Sequence, residues 1–132
     1  MNNLLNILVV DDDELARDLL DLFLRKRFNV YAVGSVNQFY EIIKKVKFDM
    51  ILLDVSLRDS KDGIQLTAEL RQGEKHKRTP IVMISAFGNI QIKNYAFDAG
   101  ATKFITKPIT REILDTQVLS LLNNGFEQSK AC

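Results

Sequence analysis

Short apolar runs alternate with longer stretches of helical spacing along the chain. Ile7-Leu8-Val9-Val10 leads into a stretch carrying Leu15, Ala16, Leu19, Leu20, Leu22 and Phe23 at helical intervals. Phe28-Asn29-Val30-Tyr31-Ala32 precedes Ser35, read as a helix N-cap with Gln38 as its capping-box partner. That helix continues through Phe39, Ile43 and Val46. Met50-Ile51-Leu52-Leu53 is followed, after a polar loop, by Ile64, Leu66, Ala68 and Leu70. Pro80 introduces Ile81-Val82-Met83-Ile84. Lys103-Phe104-Ile105-Thr106 then leads to Ile113, Leu114, Val118, Leu121 and Leu122. The first, third and fourth runs are apolar at every position, as a strand covered on both faces must be. Such strands, separated by helices, need crossover connections. The pattern therefore predicts a (βα)5 α/β protein: a doubly wound, parallel, five-stranded sheet with helices on both faces. No linker or repeat interrupts it, so one domain is expected over 1–122, with a polar tail or the start of a linker over 123–132.

Composition narrows the class of function. A chain of 132 residues suits one core. Its 46% hydrophobic content and net charge of +1 exclude a disordered chain and argue against direct nucleic-acid binding by this segment. No apolar run approaches the roughly 20 residues that span a bilayer, and Met1-Asn2-Asn3-Leu4 lacks a secretory pattern. A cytoplasmic protein without membrane attachment is expected. Cys132 has no second cysteine to pair with. The lone histidine, His76, lies in the hydrophilic run Arg71-Gln72-Gly73-Glu74-Lys75-His76-Lys77-Arg78, read as a wet helix end with His76 a solvated loop residue.

Open parallel sheets bind ligands beyond the carboxyl ends of their strands. Those ends carry Asp11-Asp12-Asp13-Glu14, Asp54, Ser85-Ala86 and Lys107-Pro108. Asp13 and Glu14 suit an N-cap and a helix-dipole partner. Asp54, Ser85 or Lys107 taken singly are ordinary strand-end residues, so their weight is joint. Clustered carboxylates repel unless a cation neutralises them. Oxygen donors with water positions retained suit Mg²⁺, and a lysine beside them offsets charge at rest and holds an anion when one arrives. The set suits a phosphoryl group.

Ile7-Leu8-Val9-Val10-Asp11-Asp12, Leu52-Leu53-Asp54, Ile84-Ser85-Ala86 and Ile105-Thr106-Lys107-Pro108 together resemble the receiver domain of two-component response regulators, over about residues 5–122. The resemblance implies a flavodoxin-like sheet of order 2-1-3-4-5. It implies that Asp54 accepts a phosphoryl group, and that Asp11, Asp12, Asp54 and the Ser56 backbone carbonyl hold Mg²⁺. It further implies Lys107 as the catalytic lysine, Ser85 and Phe104 as the switch pair, and a cis Lys107–Pro108 peptide. A sensor histidine kinase or phosphotransfer protein would be the donor. A downstream protein or an output domain outside this segment would be the recipient of the signal, and phosphorylation could drive a dimer.

The loop from Val55 to Gly63 is one residue longer than the usual family spacing, with Arg58 where proline commonly stands. Asp59 and Asp62 are expected to be solvent-facing turn residues. Phe87, two residues beyond Ser85, is proposed to overhang the pocket and slow hydrolysis. The alternative is a Mg²⁺-dependent phosphatase or phosphotransferase using Asp54 on small substrates. Against it, the sequence offers no insertion large enough to enclose a substrate.

Overall fold

The apolar runs fold as strands within residues 4–122, which the structure, a computed structural model, describes. The strands are β1 (Asn6–Val10), β2 (Asn29–Val33), β3 (Met50–Asp54), β4 (Ile81–Ser85) and β5 (Lys103–Thr106). Between them stand α1 (Glu14–Leu24), α2 (Val36–Lys45), α3 (Gly63–Gln72) and α4 (Ile90–Ala99). After β5 comes α5 (Arg111–Ile113), which widens into a π-helical turn over Leu114–Val118. All strand pairs are parallel, as the pattern predicts, and in the order β2-β1-β3-β4-β5 that the family resemblance implies. The expected tail over 123–132 lies outside the described residues.

Alternation of side chains along each strand divides the core in two. Leu8, Val10, Ile51, Leu53, Ile81 and Met83 face one way, against Val36 and Phe39 of α2, Leu66 and Leu70 of α3 and Ala96 of α4. Ile7, Val9, Met50, Leu52, Val82 and Ile84 face the other way, against Leu20 and Leu24 of α1 and Leu114 and Val118 beyond α5. β1, β3 and β4 occupy the three central places in the sheet. They are buried along nearly their whole length, which is why their sequence shows no polar alternation.

Several local expectations are corrected. α1 buries only Leu20 and Leu24 fully, while Leu15, Leu19 and Leu22 are exposed, so its apolar residues exceed what the sheet covers. Ser35 does cap α2 by accepting from the Gln38 N–H, but the Gln38 side chain accepts from Gly34 rather than from the cap residue. The complete capping box is at α3, between Asp62 and Gln65. α4 fully buries only Ala96 and therefore has no apolar stripe to reveal it in the sequence.

The charged run at the end of α3 is exposed at most of its positions, as expected, but Arg71 and His76 are exceptions. The Arg71 guanidinium donates to the carbonyls of Gly100, His76 and Thr79, tying the α3–β4 connection to the turn after α4. Gly100, at φ 114°, supplies the left-handed residue that ends α4. His76, expected in solvent, is only 2% exposed. Its ring stacks on Phe48 at 6.2 Å and its Nδ1 lies 3.0 Å from Thr79 Oγ1. Nε2 has no hydrogen-bond partner among the described residues. The polar neighbours concealed this: their charged ends reach water while the loop backbone folds the imidazole inward.

Burial, with Lys75, Lys47 and Arg71 nearby, holds the His76 imidazole below its ordinary pKa. The folded state thus prefers the neutral ring, and the unfolded chain binds the extra proton. His76 should therefore make the fold less stable as pH falls through about 6.5. His76→Gln is expected to cost about 1–3 kcal/mol at pH 8, through lost packing and hydrogen bonding. In denaturation series from pH 8 to pH 5 that deficit should narrow, since glutamine does not titrate. A deficit independent of pH would contradict the assignment.

Candidate functional site

Four connected strands bring their C-terminal ends to one edge, with Asp54 opposite Ile84 and Ser85 opposite Thr106. The alternation that divides the core also sorts the polar residues found there. Asp11 and Lys107 immediately follow β1 and β5, and with Asp54 they continue the rows of Val9, Ile105 and Leu52, on the α1 and α5 side. Ser85 continues the row of Met83 and Phe104 packs against that same core, on the face of α2, α3 and α4. The edge therefore has a carboxylate–lysine side and a hydroxyl–aromatic side.

Asp11 and Asp54 are both buried. Lys107 Nζ donates to Asp54 Oδ2 at 2.8 Å and to Asp11 Oδ2 at 3.1 Å. The other oxygens meet backbone donors: Asp54 Oδ1 accepts from the Ser56 N–H at 2.9 Å, and Asp11 Oδ1 from the Asp13 N–H at 2.9 Å. Burial pushes the Asp54 carboxyl up from 3.8 to about 6, against the opposing hydrogen bonds from Lys107 and Ser56. Asp54 thus remains mainly ionised near pH 7. Burial works against the Lys107 ammonium too, but its bonds to Asp54 and Asp11 outweigh that effect and raise it above its ordinary value. The lysine is held as a cation between two anions.

Asp12 completes the acidic group. One carboxylate oxygen from each of Asp11, Asp12 and Asp54 lies within 4.8 Å of the others. Hard oxygen donors gathered this closely, with Asp12 partly open to solvent, fit a small divalent cation that keeps part of its water shell. Asp13 is the N-cap of α1, as expected, accepting from the Leu15 N–H.

The remaining expected residues have defined surroundings. Ser85 is buried, and its Oγ accepts from the Phe87 N–H at 3.0 Å. The Phe87 side chain itself is 64% exposed. Phe104 is half-buried, with Lys93 Nζ 5.9 Å from its ring centre. The Lys107–Pro108 peptide is cis. Ser56 donates its N–H to Asp54, a role the sequence did not suggest.

The loop from Val55 to Gly63 is pinned at several points. Leu57 is buried in the core, and Asp59 Oδ2 accepts from the Val36 N–H, adding a second acceptor at the start of α2. Asp62 caps α3. Both acidic residues are thus fastened turn residues rather than merely solvent-facing ones. Between these anchors Arg58 adopts φ 51°, and its Nε donates to Asp12 Oδ2 at 2.7 Å. The sequence identified the extra loop length but not this bond, which depends on the direction the left-handed residue gives the side chain.

This doubly wound sheet, with an acidic trio and a bridging lysine at its carboxyl edge, has the architecture of a CheY-like flavodoxin fold. Residues 7–119 match the model of the response regulator receiver domain, and the chain belongs to that family. The transcriptional regulatory protein SrrA of Staphylococcus aureus is 35% identical over 117 residues, covering 88% of this chain and 47% of SrrA. The chain therefore spans about half the length of the curated relatives it matches. A candidate response regulator from Chloroflexus aurantiacus superposes with a TM-score of 0.84 at 32% identity, over 92% of this chain and 99% of that one. The receiver domain of the sensor histidine kinase PA1611 from Pseudomonas aeruginosa, a structure with magnesium in its active-site cleft, gives 0.78 at 26% identity, over 88% and 95%. The chain is a receiver domain, a signalling switch, and the small-substrate phosphatase reading is not favoured.

Gly63 sets the distance between α3 and the site. A Cβ there would collide with the Asp54 carbonyl oxygen, and the Gly63 N–H donates to the Val55 carbonyl at 2.8 Å. Because the obstacle is strand backbone, it cannot swing aside. Gly63→Ala is expected to lower unfolding free energy by about 1–3 kcal/mol in denaturant titrations, as overpacking does. Unchanged stability would mean that α3 can retreat freely from β3.

Proposed function

We propose that Asp54 is the phosphoacceptor of this receiver domain, in a Mg²⁺-dependent reaction with a phosphohistidine donor on a sensor histidine kinase or phosphotransfer protein. The observation that carries this reading is Lys107 bridging Asp54 and Asp11, with Asp12 completing the acidic trio. A carboxylate oxygen of Asp54 attacks phosphorus as the P–N bond to the donor imidazole breaks, and the imidazole leaves with a proton. The product is an acyl phosphate. Lys107 exchanges its hold on the carboxylate for one on the phosphoryl oxygens, following the negative charge. Asp11, Asp12, Asp54 and the Ser56 carbonyl would hold Mg²⁺, which when bound supplies charge neutralisation and a clamp on phosphoryl oxygens. Attack by water then breaks the P–O bond to Asp54, releases inorganic phosphate and resets the site.

On the other side of the edge, Ser85 gives up its turn with Phe87 to donate its hydroxyl to the phosphoryl group, and Phe104 repacks into the space left. Phe87 is read as a restraint on attacking water. The signal leaves through the face of α4, β5 and α5, to a downstream protein or an output domain outside this segment, with phosphorylation-driven pairing of two copies as one form of output. A cytoplasmic setting accords with such partners. Among the described residues no helix is long and apolar enough to cross a membrane.

Incubation with Mg²⁺ and a small acyl phosphate should label the protein with one phosphoryl group per chain, measured by intact mass. Asp54→Asn should abolish the label, and Lys107→Ala should reduce the rate by about 10²-fold or more, the scale of losing an electrostatic stabiliser. Full labelling of Asp54→Asn would reject the acceptor, and many turnovers on a phosphorylated metabolite would return the phosphatase reading.

A further inference from the structure

Arg58 is the described non-glycine residue with positive φ, at 51°. Only a firmly held loop keeps an ordinary residue there. Here the neighbours hold it: Leu57 is sunk in the core at 2% exposure, and Asp59 is bonded to the first turn of α2. The extra residue of the loop is thus absorbed in a left-handed step that turns the Arg58 side chain back over the strand ends. Its Nε then reaches Asp12 Oδ2 at 2.7 Å.

The pair is unlike the Lys107 bridge. Arg58 is 75% exposed and Asp12 17%, whereas the carboxylates on Lys107 are almost wholly enclosed. Lys107 offsets one of the trio's negative charges and Arg58 a second. An exposed guanidinium on a flexible stem can leave for water at little cost, whereas an ammonium bridging two enclosed carboxylates would leave both of them unpaired. The Asp12 oxygen that Arg58 occupies belongs to the same carboxylate that completes the acidic trio.

We propose that Arg58 is a built-in competitor for the metal ion: its guanidinium occupies the Asp12 carboxylate at rest and must leave when Mg²⁺ binds, so the lengthened β3–α3 loop sets metal affinity. The inference rests on the acidic trio being the Mg²⁺ site. Its physical basis is mutual exclusion, since a dication and a guanidinium sharing one carboxylate repel each other at close range. Metal binding then frees the Arg58 side chain at the mouth of the site.

Calorimetric Mg²⁺ titration of the full chain tests this with wild type, Arg58→Ala and Lys61→Gln. Lys61 lies in the same loop but bonds Glu69 and Tyr40 rather than the acidic trio, so its neutralisation reports the general effect of removing one positive charge. Arg58→Ala is expected to tighten Mg²⁺ binding by about two- to fivefold, the range of an exposed ion pair, and clearly more than Lys61→Gln. In amide and side-chain nitrogen spectra of wild type, the Arg58 Nε–H signal should move on Mg²⁺ addition in step with binding. Equal tightening by both variants, weaker binding by Arg58→Ala, or an unmoved Nε–H signal would overturn the competition. If none of the proteins binds Mg²⁺, the metal site itself is refuted, an outcome distinct from binding that is indifferent to Arg58.

Discussion

Two carboxylates buried at the end of one sheet repel each other, and the Lys107 ammonium lying 2.8 Å from Asp54 and 3.1 Å from Asp11 offsets that repulsion. Much of the site follows from that bridge. It favours the ionised form of Asp54 although burial pushes its carboxyl up, and an ionised carboxylate is what the proposed phosphoacceptor would have to present. It also stores a cation at the place where, under the proposed function, negative charge would arrive. The arrangement is local in energy but not in sequence, because Lys107 stands 96 positions from Asp11 and 53 from Asp54. The internal strands β1 and β3, with β5 at the sheet edge, bring these residues together.

The same strand geometry explains how one chemical event can have a mechanical consequence. Side chains alternate between faces, so Asp11, Asp54 and Lys107 lie on the α1 and α5 side while Ser85 and Phe104 belong to the other. Beyond the last residue of each strand the two rows meet at the edge. Ser85 is bound to the Phe87 N–H, and Phe104 packs beside Met83 and under Lys93. A group that drew the Ser85 hydroxyl away from Phe87 would disturb the turn leading to α4. α4, which buries only Ala96 fully, has little core contact to resist displacement.

Much of this was legible in the sequence because it depends on local rules. Continuous apolar runs identified β1, β3 and β4, the ends of these runs named the trio and Ser85, and the end of the mixed run of β5 named Lys107. What escaped depends on side-chain direction. His76 sits among lysines yet turns its ring onto Phe48, because the charged neighbours can reach water with their tips while the imidazole fills a gap. Leu15, Leu19 and Leu22 fit an amphipathic helix by spacing, but the narrow sheet covers only Leu20 and Leu24 completely. α4 was invisible for the opposite reason, having almost nothing buried.

The loop between β3 and α3 marks the boundary between these two kinds of information. Its length is a count anyone can make from the sequence, but length alone leaves the direction of Arg58 undetermined. Three fixed points settle it: Leu57 in the core, Asp59 on the start of α2, and Asp62 capping a helix that Gly63 allows to abut the Asp54 carbonyl. With both ends held, the surplus residue takes the left-handed conformation, and a long cationic side chain is left pointing at the nearest anion. The loop is thus a constraint rather than a slack connection, since the anchors that hold it also direct a charge to the acidic trio.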